Sequence, residues 1–213
     1  NTSLVGVSEE LTIIDGDGLL AGFTVSFHNE NNSISDISIR NFSSGLGTLY
    51  ATNALFENLR IHDLHDDYQS IGVTVSHSTG TNLQNVEIDN VSAHNASGVT
   101  VNTSKQLLTL DNVNISNVSS DNNMSAANMG SMGNVNINRL SITNCSSNNN
   151  DEFSFNTIMQ IIPSSQAQSL KVNITNSLFA DNYQAYGIKP MMYVKGLNES
   201  VTFQNCTFAG NRG

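Results

Sequence analysis

The residues best equipped for chemistry crowd into one run, Arg60-Ile61-His62-Asp63-Leu64-His65-Asp66-Asp67-Tyr68. Carboxylates and imidazoles this close could hold Ca²⁺ or exchange protons with a sugar substrate, Arg60 serving as the base of a lyase-type reaction. A repeat set out below accounts for part of the run. It turns Ile61 and Leu64 inward, places Asp63 at a turn, and sets Arg60 and His62 beside Glu87 and Asp89 of the next coil as favourable cross-strand pairs. His65, Asp66 and Asp67 are then left over. With Arg60 they form the candidate catalytic set of an enzymatic reading. No metal site and no cofactor are expected. His28, His77 and His94 stand singly and read as surface residues.

A second chemical signal is the sequon Asn-x-Ser/Thr, which occurs thirteen times, about twice the composition-based expectation. Several of these asparagines belong to the repeat. Asn31, Asn95, Asn102, Asn123 and Asn198 fall outside its anchor strands and are the expected carriers of N-linked glycans. The two cysteines, Cys145 and Cys206, take inward places two coils apart, so they are expected to be unbridged buried thiols.

What positions these residues is a repeat of the form apolar-x-apolar-x-Asn/Asp. It runs as Leu11-x-Ile13-x-Asp15, Ile37-x-Ile39-x-Asn41, Leu59-x-Ile61-x-Asp63, Val86-x-Ile88-x-Asn90, Val113-x-Ile115-x-Asn117 and Leu140-x-Ile142-x-Asn144, then fades at Phe179 and Phe208. From Ile61 to Ile142 the anchors recur every 27 residues. Period-2 alternation makes each anchor segment a strand. Ile71–Val75, Gly98–Val101 and Tyr186–Ile188 read as second strands. A unit this short cannot bury its apolar face alone and must stack on its neighbours. The fold class is therefore all-β, a right-handed parallel β-helix of about eight coils. The Asn/Asp residues should form a ladder at one turn, because Asn and Asp tolerate the left-handed conformation and bond nearby backbone.

Strand segments closed by an Asn/Asp turn, one per coil, resemble the right-handed β-helix repeats of the pectate-lyase-like superfamily. Phe179-Ala180-Asp181-Asn182 and Phe208-Ala209-Gly210-Asn211 are also similar to the FxxN repeat of polymorphic outer-membrane proteins. The resemblance implies the fold across nearly the whole chain. It leaves the function open among lyases, hydrolases, adhesins and surface repeats. Enzymes of this superfamily commonly grip sugar chains in grooves lined by basic and aromatic residues, whereas this chain has no Trp, five Tyr and only eight Lys and Arg.

The 213 residues read as one β-helix domain, 1–213, with a loop insertion at 148–168 that returns through the apolar segment Ile158–Ile162. A net charge of −10 argues against nucleic acid as a partner, and no apolar run is long enough for a membrane span. The expected function is that of a secreted, glycosylated structural or adhesive module of a cell surface, self-associating end to end. A carbohydrate-active enzyme or carbohydrate-binding module is the alternative.

Overall fold

A computed structural model describes residues 3–19, 22–26, 31–104, 107–131, 133–148, 157–162, 170–185, 191–195 and 199–213. These form an all-β parallel solenoid. The first level holds β1 (Ser3–Val5), β2 (Ile13–Leu19) and β3 (Phe23–Ser26). The second holds β4 (Ser33–Phe42) and β5 (Leu46–Leu49), and the third β6 (Leu55–His65) and β7 (Gln69–Ser76). β8 (Asn82–Ser104) and β9 (Leu108–Ser131) each run through a whole level. Next come β10 (Val135–Thr143), β11 (Ser146–Ser147) and β12 (Thr157–Ile161). They are followed by β13 (Leu170–Thr175), β14 (Leu178–Ala180), β15 (Tyr183–Gln184) and β16 (Met192–Val194). β17 (Glu199–Gln204) and β18 (Thr207–Ala209) close the series. All pairings between levels are parallel, as in β6 on β8 and β8 on β9.

The anchor column is continuous. Ile39, Ile61, Ile88, Ile115, Ile142, Phe179 and Phe208 are register partners from level to level. Ile39 to Ile142 are completely buried. A second interior column runs through Ile34, Phe56, Leu83, Leu110, Ile137 and Ile174, likewise buried. Opposite the anchors stand Gly45, Gly72 and Gly98. A Cβ on Gly98 would lie 2.5 Å from Ile115 Cγ2 and 2.7 Å from the Ala126 carbonyl oxygen. The solenoid is thus pinched at this wall, and only glycine leaves room for the branched anchor beside it.

Two details depart from the expected arrangement. The structure has about six turns rather than eight coils. Eight anchor levels bound only seven intervals, and the last level contributes just β17, β18 and a bridge at Arg212. At the first level the anchor is Ile14, which pairs with Ile39, and not Ile13, which pairs with Ser38 and is 45% exposed. Two adjacent isoleucines offer the same alternation one residue out of step, and a register shift between Asp15 and Leu19 absorbs the difference.

The Asn/Asp turn ladder is present from Asn41 onward, whereas Asp15, expected as its first member, is not left-handed and pairs with Arg40. Asn41, Asp63, Asn90, Asn117, Asn144 and Asp181 all have φ between 53° and 57°. A second ladder, which the repeat did not reveal, lies five residues upstream in each level: Asp36, Asn58, Asn85, Asn112, Arg139, Asn176 and Asn205, all left-handed. Side-chain amides link its members from coil to coil, Asn112 Nδ2 donating to Asn85 Oδ1 at 2.9 Å, Asn85 to Asn58 at 3.0 Å and Asn58 to Asp36 at 2.9 Å. Stacked amides of this kind satisfy each other along the axis.

Of the expected insertion, β12 is described. It docks on β9 and carries β16, with Ile158, Met159 and Ile161 buried. The rest of 148–168 lies mostly outside the described residues, as do Tyr186–Ile188. Both cysteines are free. Cys145 is buried as expected, whereas Cys206 is only partly covered.

Candidate functional site

The run from Arg60 to Tyr68 spans the end of β6 and the corner that leads into β7. Arg60 points outward from the strand and faces Glu87 across the coil, Nε to Oε1 at 3.7 Å with both side chains about half exposed. The cross-strand pair expected there is formed. An exposed pair of this geometry contributes at most about 1 kcal/mol.

The other expected pair, His62–Asp89, is not a hydrogen bond, although the two residues are register partners. The His62 ring instead bonds Asp63 Oδ2 through Nδ1 at 2.7 Å and Ser38 Oγ through Nε2 at 3.1 Å. Asp89 Oδ1 accepts from Ser116 Oγ at 2.6 Å and Asn117 Nδ2 at 2.7 Å. Each carboxylate serves the coil above it, and the ring turns to its chain neighbour. Asp63 also accepts from Asn90 Nδ2 at 2.6 Å; this bond, and secondly the one with His62, hold its carboxyl below the ordinary carboxylate range.

His65, Asp66 and Asp67 stand together at the corner where β6 ends. They line one side of an open surface groove of about 160 Å³, with Ser92, His94, Ser119 and Asp121 on the following coils. Arg60 is not part of this lining, so the four candidate residues do not converge on one point. Within the groove, His65 Nδ1 meets Ser92 Oγ at 2.9 Å. Asp66 Oδ1 accepts the backbone N–H of Tyr68 at 2.7 Å and of Gln69 at 2.9 Å. These two bonds, Gln69 first, lower the Asp66 carboxyl and fix it as an anionic cap of the corner. A group held this way makes a poor proton donor near neutral pH.

His94, read from the sequence as a lone surface residue, and Asp121, which the sequence did not single out, both line the groove. They sit at the same corner on successive coils and line the groove together with His65. Among the described residues no group of three or more His, Cys, Asp or Glu side chains is arranged to hold a metal ion. His77 is also not isolated: its ring lies 5.3 Å from that of Tyr50.

Of the expected glycan carriers, Asn31 is exposed, and Asn95 and Asn123 lie inside β8 and β9 as register partners. The side chain of Asn102 and the whole of Asn198 lie outside the described residues.

The FxxN segments have a clear structural use. Phe179 and Phe208 stack with ring centroids 4.9 Å apart. Asn182 Nδ2 donates to the Ile142 carbonyl at 3.0 Å while its Oδ1 accepts the Cys145 N–H at 3.0 Å. Asn211 repeats this toward Phe179 and Asn182. The asparagine therefore pins the backbone of the preceding coil from the interior.

No protein-family profile matches the chain, and no curated protein or solved structure matches it at a significant level. No helix is long and apolar enough to cross a membrane among the described residues.

Proposed function

We propose that this chain is an extracellular, glycosylated structural or adhesive β-helix module of a cell surface or filament, associating end to end with further copies. The observation that carries the reading is how its polar side chains are used. Asn, Asp and Ser bond one another along the axis, in two ladders and in the candidate run itself, where Arg60, His62 and Asp66 each have a partner within the scaffold. Such a surface maintains a rod. Kinship with the pectate-lyase-like superfamily and with FxxN surface repeats accords with the parallel coils and with the interior role of Asn182 and Asn211.

End-to-end association follows from strand physics. An end level that no further coil covers offers backbone donors and acceptors in register for another one, and a head-to-tail contact that does not close produces fibres. Sedimentation velocity and electron microscopy of the secreted 213-residue chain test the reading. Filaments or a concentration-dependent series of rods are expected. Monodisperse monomers at micromolar concentration would refute the assembly.

The groove at His65, Asp66 and Asp67 favours a second reading, a carbohydrate-active or carbohydrate-binding site. Screening soluble polysaccharides against the wild type and the triple alanine variant decides it. Activity or binding that disappears in the variant supports the second reading, and an unchanged result removes it.

A further inference from the structure

We infer that Asn114 is an N-glycan attachment site, whereas the ladder asparagines, although most of them also stand in sequons, stay bare. The inference rests on the extracellular reading and sharpens it, since the sequence favoured other carriers. Asn114-Ile115-Ser116 is a sequon in the middle of β9. Ile115 fills the anchor column, so the alternation turns Asn114 outward, where it is exposed between its register partners Glu87 and Ser141. Its amide makes no hydrogen bond among the described residues.

Other sequon asparagines are committed. Asn90 and Asn117 donate their Nδ2 to Asp63 and Asp89 of the preceding coil. Asn95 donates to the Tyr68 carbonyl at 3.2 Å while its Oδ1 accepts from both Asn122 and Asn123. Asn173 donates to Asn136 Oδ1 at 3.1 Å. Coils stack about 4.8 Å apart, so a sugar on a nitrogen that points along the axis collides with the next coil or breaks the ladder. Asn31 and Asn144 keep an unengaged Nδ2 as well, but both stand at left-handed turn positions, and Asn31 Oδ1 holds Asn53. Asn114 alone combines an outward strand position, exposure and an unengaged amide among the described sequons.

The modification requires a lipid diphosphate-linked oligosaccharide as co-substrate. Asn114 Nδ2 attacks C1 of the reducing-end sugar. The N–C1 bond forms as the bond from C1 to the phosphate oxygen breaks, the lipid diphosphate leaves with that electron pair, and one Nδ2 proton passes to a base of the transferase. The folded, secreted molecule then carries the glycan on its flank, clear of both neighbouring coils.

The test is glycopeptide mapping of the full chain secreted from a eukaryotic host. Amidase release in heavy-oxygen water marks each occupied asparagine as a labelled aspartate. The label is expected at Asn114, and Asn114→Gln should lower the intact mass by one glycan with an unchanged circular dichroism spectrum. Asn90 and Asn117 should remain unlabelled. Occupancy at other sequons with Asn114 bare would overturn this inference alone. A glycan on Asn90 or Asn117 of the folded protein would overturn it too. No occupancy anywhere would overturn the glycoprotein reading together with it.

Discussion

The middle levels, β6 through β10, and the terminal levels carry the same columns with opposite consequences. Phe56 and Leu83 are fully buried, yet Leu4 and Phe203, which occupy the same column at the two ends, are 41% and 43% exposed. The residue types hardly differ. What differs is whether a coil lies on both sides. A solenoid residue therefore derives its burial from its neighbours along the axis rather than from its own level, and the consequences of substitution should be graded from the middle outward.

The largest contrast is expected between Ile115→Ala and Phe208→Ala. The first empties a fully buried anchor and should cost about 2–5 kcal/mol. The second removes a ring that is 55% exposed and stacked on Phe179 alone in its column, and should cost at most about 2 kcal/mol. Urea denaturation of both variants measures the gap. Equal losses would break the comparison.

Glycines sharpen it further. Gly98→Ala forces a methyl against Ile115 and the Ala126 carbonyl, and overpacking of this sort costs about 1–3 kcal/mol. At Gly213 the nearest atom to an added Cβ is 3.7 Å away, so Gly213→Ala should stay within about 0.5 kcal/mol of wild type. Thermal melting of the two variants provides the check. Asn112→Ala, in the middle of the second ladder, loses both a left-handed-tolerant residue and the bond to Asn85, for about 1–2 kcal/mol. Asn112→Gly should recover the backbone part only.

The ladder was half legible in the sequence. The Asn/Asp turn after the anchor stood out because it follows an isoleucine at a fixed distance. The second ladder keeps an equally constant offset, Asn58 to Asp63, Asn85 to Asn90 and Asn112 to Asn117, but Arg139 interrupts its type and it lies inside what reads as one strand. Ile13 was mistaken for Ile14 because alternation alone cannot choose between adjacent isoleucines. The groove partners His94 and Asp121 were hidden for another reason. They stand 27 and 54 residues after Asp67, within the period of the repeat, but at a corner outside the alternating strands, where the pattern does not say that side chains line one groove. Gly72 and Gly98 fall within segments read as second strands, but that they form a wall emerges only from which isoleucine stands opposite each.

Acidification should act on the carboxylates that the coils hold. Asp15 is lowered to about 2, by Asn41 first, then by the Asp17 N–H and Arg40. Asp111, beside Arg139, is also lowered. Between the folded and unfolded pKa values the unfolded chain binds more protons, so stability falls as pH drops. Melting temperature should be nearly flat from pH 7 to about 4 and fall between about pH 4 and 2. A loss centred near pH 6 would point to the histidines instead.

The smallest effect concerns the thiols. Burial pushes Cys145 up to about 12, and it should resist alkylation until the protein unfolds. Cys206, partly covered at the end level, should be modified faster in the folded state. Labelling in the reverse order would invert the assignment of middle and end.

Native-state hydrogen exchange tests the central claim most directly, because it reads backbone pairing level by level. Amides of residues 82–143 are expected to exchange slowest, with protection declining toward 3–19 and 199–213. Protection that is uniform along the chain, or greatest at either end, would contradict a solenoid whose stability is set by the coils stacked on both sides of each level.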